Sequence, residues 1–598
     1  MAERTLPPRA PVPGRAAASG DGPGLPRPPL AVVRSARRPR GGGPRVPDGL
    51  GPLRAAVWAV LALVVLLPLA AVLEQGLRPG ALAGILRPEV LEAGVNTVVS
   101  SVLSAALATA AGAVLALLLD RTDLPGRGAL RALVLLPFLI PPFIGAMAWM
   151  ALLAPTGIVN TLRAALLGPG TDWSMFGAHG VVLVLAVHSY PLAYLVIALA
   201  LRRVPAELED AARISGAAPA RVLRDVTVPL MRPGIAAAFL LTAVANMSDF
   251  GIPALLGLPE RYTTLTTLAY RYLASGSVPN PLPVVSALGT VLLLAALGAV
   301  LLQRRLPSGA ELGGGGPARP VRLGRARWPL AGLVALGGAA VCVVPLLALA
   351  TQALLPAPGV PPTPENLTPA TLVRAATSDL ALDGLRTSLG LALGAGALCA
   401  LLGLAVASLV VRRGGRTGAA MDAVALLPQA LPGLVIAAAW LLVGPHLGIF
   451  NTPWIILGAY VMAFLALVVQ VVRAPLASAP RSLEDAARLA GAGPLRALAD
   501  VVWRAGLPAA VLGGGVVALT AVRELTISIL LVAPGHQTLG VVIYSLQQAG
   551  DYNTAAALAL LVALAGAAGL SLAAWAGTRR RRSAAGTTTG RRGRRKEH

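Results

Sequence analysis

Between about residues 54 and 577 the chain alternates long apolar runs with short polar segments rich in Arg. A helix crosses a bilayer with roughly 20 apolar residues. Twelve runs qualify: 55–73, 95–119, 132–152, 180–201, 233–257, 283–302, 328–354, 384–411, 420–442, 455–474, 508–532 and 554–577. The pattern predicts an all-α polytopic membrane protein of twelve transmembrane helices. Two polar stretches break the monotony. Leu208, Ala211, Ala212 and Ser215 recur at i, i+3, i+4 and i+7, as do Leu483, Ala486, Ala487 and Ala490, giving a narrow stripe of mostly small residues. On the other face Glu209 precedes Arg213 by four, as Glu484 precedes Arg488, the favourable order for a helical ion pair. Gly216 and Gly491 offer left-handed stops, and Pro219 and Pro494 suit the first turn of a following helix. Each stretch is predicted to be helix, sharp turn, helix.

Composition agrees with the pattern. The 598 residues are 56% hydrophobic and 13% charged, with mean hydropathy +0.73, whereas a soluble domain carries about 25% charged residues. The net charge of +24 does not point to nucleic acid, because the Arg residues sit in alternate loops and both tails rather than among aromatic residues. They cluster at Arg121 to Arg131, Arg202 to Arg232, Arg304 to Arg327, Arg412 to Arg416 and Arg473 to Arg504. Cytoplasmic loops hold such excess, so both termini are expected in the cytoplasm. Cys342 and Cys399 lie in apolar runs without disulfide or metal spacing. Residues 1–53 read as a disordered basic cytoplasmic extension without a cleavable signal, and 578–598 as a basic cytoplasmic tail.

The chain is a tandem duplication. LLPFLIPP from Leu135 pairs with LLPQALPG from Leu426, and GIVNT from Gly157 with GIFNT from Gly448, each 291 positions on; the polar segments EDAARISGAAP from Glu209 and EDAARLAGAGP from Glu484 lie 275 apart. Residues 54–302 and 328–577 are therefore two six-helix repeats joined by a Gly-, Pro- and Arg-rich linker, 303–327. Six is even, so the repeats are parallel. Over Glu209–Pro233 and Glu484–Pro508 roughly half the positions are identical without a gap. Crossings elsewhere keep little beyond apolar character. That difference favours a shared docking partner for the loops 202–232 and 475–507, over solvated helices inherited twice.

The pattern E-x-A-A, Gly four residues on, then Ala-x-Pro resembles the EAA loop of binding-protein-dependent ABC importer permeases. The resemblance implies that Glu209, Ala212 and Gly216, with Glu484, Ala487 and Gly491, couple the chain to two cytosolic ABC ATPase subunits. It also implies an extracytoplasmic substrate-binding protein and a place in the bacterial inner membrane. The fused form, with SDFGIPALLG at Ser248 and VRELTISILLVAPG after Ala521, is similar to iron(III) permeases; thiamine, polyamine and phosphonate permeases are alternatives. One departure is Arg504 where the first copy has Pro229, which suggests a different entry angle into the next crossing. A phosphate-binding loop needs a Lys, and Lys596 in the tail is the only one. No cofactor is expected on this chain; ATP and Mg would belong to the partner subunits.

Asp249 and Glu524 occupy the same point of the fifth crossing in each copy. An intramembrane charge costs at least about 2.5 kcal/mol and usually faces a cavity. Counting about 1.5 Å per residue from Pro233 and Pro508 puts both acids roughly 24 Å across, near an external gate of the translocation path. The plainer reading is that they cap irregular helix ends, or that Glu524 pairs with Arg523. His188 and Asn246 are weaker path candidates, His188 being more simply a hydrogen-bonded packing residue. Pro137, Pro141 and Pro142, with Pro428 and Pro432, are expected to kink the third crossings. Two rival classes remain: an ion-gradient-driven secondary transporter, whose charged loop DRTDLPGR from Asp120 loosely resembles, and a membrane scaffold.

Overall fold

The computed structural model describes residues 49–168, 170, 172–275, 279–305 and 320–569, and among them there is no strand. The expected N-terminal extension to residue 48, residues 306–319 of the linker and the basic tail lie outside the described residues. Eleven helices are long and apolar enough to cross a membrane, and a broken pair makes a twelfth crossing. In the first repeat the crossings include Gly51–Gly76, Pro88–Arg121, Ala178–Leu201, Pro219–Met247 and Leu282–Gln303; in the second they include Gly324–Leu354, Asp379–Arg412, Pro453–Ser478, Pro494–Val522 and Tyr552–Gly569.

The third crossings are broken rather than kinked. In the first repeat Arg127–Leu139 stops at Ile140, which has extended backbone, and Pro142–Leu153 starts afresh. In the second, Gly415–Ala430 meets Gly433–Val443 at 111°. A Pro removes the hydrogen bond to the carbonyl four residues earlier. Pro141 and Pro142 in sequence delete two such bonds, enough to end the helix, whereas Pro137 alone sits inside it. The fifth crossings also differ from their expected spans. They begin at Pro219 and Pro494, inside the polar loops, and stop at Met247 and Val522, just before the acids. Each then continues as a short turn, Pro253–Gly257 or Thr526–Leu530, and a helix, Leu265–Ala274 or Leu539–Gln548. The same bond starts both of these last helices: Leu265 N donates to Thr97 Oγ1 at 2.8 Å, and Leu539 N to Ser388 Oγ at 2.8 Å.

Inside a bilayer, helices associate through small residues that let backbones approach and through polar groups that find each other. Gly396 and Gly514 supply the first: a Cβ on either would lie 2.5 or 2.6 Å from the other's carbonyl oxygen. Replacing Gly514 with Val is therefore expected to destabilise the second repeat by about 1–3 kcal/mol through overpacking, seen as a lowered thermal unfolding midpoint in detergent. Polar ties run across helices. Asp120 accepts from Arg131 at 2.8 Å and from the Tyr194 hydroxyl at 3.0 Å, joining the second, third and fourth crossings. In the second repeat Asp422 pairs with Arg473; Asp422 is 291 positions after Arg131, so the charge there has changed sign while a tie to a neighbouring crossing persists. The repeats interlock because each first crossing packs on the other repeat. Leu67–Gly76 lies against Gly433–Val443, and Val344–Leu354 against Pro142–Leu153.

Candidate functional site

Two elbows are built alike. The helices Ala206–Ile214 and Arg481–Leu489 end in the same Schellman turn. Gly216 (φ +84°) donates to Arg213 O and Ala217 to Ala212 O, both at 3.0 Å; Gly491 (φ +88°) donates to Arg488 O and Ala492 to Ala487 O, also at 3.0 Å. Ala212 and Ala487 thus supply the carbonyls that close the turn, and Gly216 and Gly491 the left-handed residue. Six crossings separate the elbows, so both lie on the same, Arg-rich face.

Glu209 and Glu484 point inward: they are 3% and 5% exposed. The Glu209 carboxylate accepts from Thr227 Oγ1 at 2.8 Å and lies 3.6 Å from both Arg121 and Arg213. Arg121, the last residue of the second crossing, also donates to Leu201 O at 2.8 Å. The acid therefore pins the elbow to the ends of two crossings. Arg412, 291 positions after Arg121, is likewise buried. Outward the elbows present apolar side chains among charged ones: Ile214 is 88% and Leu489 90% exposed, with Leu208 and Leu483 beside them and Glu207, Arg481, Asp485 and Arg488 also exposed. Leu208 and Leu483 belong to the stripe of small residues, and Ile214 and Leu489 stand outside it.

A cavity of about 330 Å³ brings together residues from both repeats, including His188, Asp249, Arg523 and Glu524, with Phe138, Phe143 and Phe464. Both acids cap the turn that follows a broken helix. Asp249 accepts from Ile252 N at 2.8 Å; Glu524 accepts from Ile527 N at 2.7 Å and Ser528 N at 3.1 Å. Capping and cavity lining thus coexist. The cavity is level with the middle of one of the crossings that line it. His188 is ten residues into the 24-residue helix Ala178–Leu201, about 15 Å from its start.

The sequence offers Arg523 as a partner for its neighbour Glu524. Instead it donates to Phe138 O at 3.0 Å. That carbonyl is four residues before Pro142, which has no N–H to offer it, so the broken third crossing of one repeat is satisfied by the other. Two adjacent prolines in an apolar run were the available signal, since buried carbonyls must find donors. Asn246 is elsewhere: it accepts from Ser189 Oγ at 2.7 Å and donates to Ser104 Oγ at 2.8 Å, tying three crossings at a packed interface.

The structure adds an aromatic cluster that no sequence pattern marks. Tyr270 and Tyr544, equivalent residues of the two repeats, meet edge to face with ring centroids 6.0 Å apart, and Phe250 packs on both at 5.1 and 5.6 Å. Phe250 follows Asp249 of the mid-depth cavity. Tyr544 is one turn before Gln547, which lines a second cavity of about 260 Å³ with Met147, Gln352 and Asn553.

A duplicated, all-helical membrane protein with paired elbows on one face and a cavity between its halves is the architecture of a transport permease. The chain belongs to the family of binding-protein-dependent transport system inner membrane components, whose model matches residues 108–309 and 399–582, once in each repeat. It is 34% identical over 267 residues to a probable molybdenum ABC transporter permease of Haloferax volcanii, covering 44% of this chain and 96% of that one. It is 26% identical over 532 residues to a probable ABC transporter permease of Sinorhizobium fredii, covering 85% and 92%. An Fe(3+)-transport system permease of Haemophilus influenzae is 23% identical over 535 residues, covering 86% and 97%. The chain is an ABC transporter permease subunit, a multi-pass membrane protein whose family works with ATPase and substrate-binding partners.

Proposed function

We propose that the two repeats line one import path for iron(III), entered through the cavity at Gln352, Gln547 and Asn553, closed at Tyr270 and Tyr544, and passing Asp249 and Glu524 at mid-depth. The elbows would seat Ile214 and Leu489 in two cytosolic ATPase subunits, Glu209 and Glu484 holding them at the angle that transmits work. The observation that carries the reading is the meeting of Asp249 and Glu524, one from each repeat, in a single cavity. Two carboxylates at an equivalent point of the two halves suit a cation as substrate, and the fused architecture is shared with the Haemophilus relative named for Fe(3+). A molybdenum reading is favoured by the Haloferax relative and by Arg523 in the same cavity, since molybdenum travels in water as an oxyanion.

Uptake of radioactive iron(III) and of molybdate, each by cells carrying the chain with its ATPase and binding protein, separates the two. Asp249→Asn combined with Glu524→Gln is expected to slow iron uptake roughly tenfold, as loss of about 1.4 kcal/mol of passage energy would do, at unchanged membrane abundance. Unchanged iron uptake would remove the acids from the path.

A further inference from the structure

We infer that each elbow is braced by the segment leading into the other repeat, so that neither can move without shifting the opposite half. This rests on reading the elbows as moving parts. At the first elbow the brace is the end of the linker. Val321 donates to Arg121 O at 2.8 Å, Asp123 N donates to Val321 O at 3.2 Å, and Leu323 N donates to Asp123 Oδ1 at 2.8 Å. Residues 321–323 thus form a strap across the loop after the second crossing, immediately beside Arg121, the residue that holds Glu209. Leu323 packs against the buried cluster containing Leu119, Leu201 and Val204, the last two leading directly into the elbow helix. One residue further on, Gly324–Leu354 begins as the first crossing of the second repeat.

The second elbow is braced in the reciprocal way. Gly49 precedes the first crossing of the first repeat and has φ +65°; a Cβ there would lie 2.5 Å from Cγ of Pro494, the residue that starts the helix after the second elbow. Leu50 beside it is 1% exposed. The two braces use different chemistry. The position 291 after Asp123 is Gly414, which has no acceptor side chain, so the carboxylate that holds the strap at the first elbow has no counterpart at that position of the second repeat, where Gly49 packs on Pro494. On this account Asp123 is a positioning residue for the first elbow and Gly49 for the second.

Hydrogen exchange of the full chain in lipid nanodiscs reads each elbow separately. Asp123→Ala removes the acceptor for Leu323 N, and exchange over 206–218 is expected to rise roughly 2- to 10-fold, the range for one lost hydrogen bond, with 481–493 unchanged. Asp123→Asn keeps an acceptor oxygen and should restore the wild-type rate. Gly49→Val should do the converse, raising exchange over 481–493 alone. Unchanged exchange at both elbows, or an equal rise at both in either variant, overturns the inference. The test needs no ATPase; a wild-type chain that fails to retain one would instead overturn the docking role proposed for the elbows and leave the brace result standing.

Discussion

Glu209→Ala is expected to cut substrate uptake by at least about tenfold and to weaken retention of the ATPase, while leaving the membrane core folded. Breaking a buried ion pair from one side costs about 3–5 kcal/mol. Here Arg213 is partly exposed and can turn to Asp210, which it already contacts at 2.8 Å, so the lower end applies. The strained partner is Arg121, left beside Leu201 O without its carboxylate. The damage stays local because Arg121 ends its helix and the crossings pack through other residues. Glu209→Gln retains an acceptor for Thr227 and should fall between. Glu484→Ala should reproduce the loss in the second repeat. Ile214→Ser and Leu489→Ser make the contrasting case: these exposed side chains hold nothing in place within the chain, so they should weaken ATPase retention without loosening the elbow in hydrogen exchange. Uptake and the ratio of co-purified ATPase measure all five. Full uptake by Glu209→Ala would show that the elbow keeps its pose without the buried acid.

The duplication, the crossings and the elbows were legible because they are written in local pattern. Twenty apolar residues make a crossing wherever they occur, and a Gly after Arg213 or Arg488 ends a helix by its own backbone freedom. The inward turn of Glu209 was not legible, since its partner Arg121 is far off in sequence and adjacent only after the second and fourth crossings pack. The resemblance that named Glu209 as a coupling residue left its side chain's direction open. The cavity was half legible. Equivalent positions announced Asp249 and Glu524, yet Arg523 and Phe138 come together only because one repeat's broken helix lies against the other repeat. Asn246 shows the limit from the opposite side: polarity in an apolar run marks a group that needs partners, and Ser104 and Ser189 supply them without any cavity.

Tyr270→Ala with Tyr544→Ala is expected to make proteoliposomes that contain the chain alone leak small ions at least about tenfold faster than wild type. Phe250, which packs on both rings, follows Asp249 of one cavity, and Tyr544 is one turn before Gln547 of the other. The helix carrying Tyr544 spans the interval: a Cβ at Gly540 would lie 3.6 Å from Glu524 O, while Gln547 is two turns on. Truncating a buried aromatic ring such as Tyr544 costs about 3–5 kcal/mol, much of it as an unfilled hole, and with the half-buried Tyr270 ring also gone the hole is expected to join the two cavities. Tyr544→Phe should stay tight. It keeps the ring and deletes a buried hydroxyl that has no hydrogen-bond partner among the described residues, so stability should hold or rise. Tyr270→Leu with Tyr544→Leu refills part of the volume and should leak less than the alanine pair. A dye-quenching assay on vesicles of matched protein content reads the series. Tight vesicles from a folded alanine pair would mean that the path is closed elsewhere and that the tyrosines are packing alone.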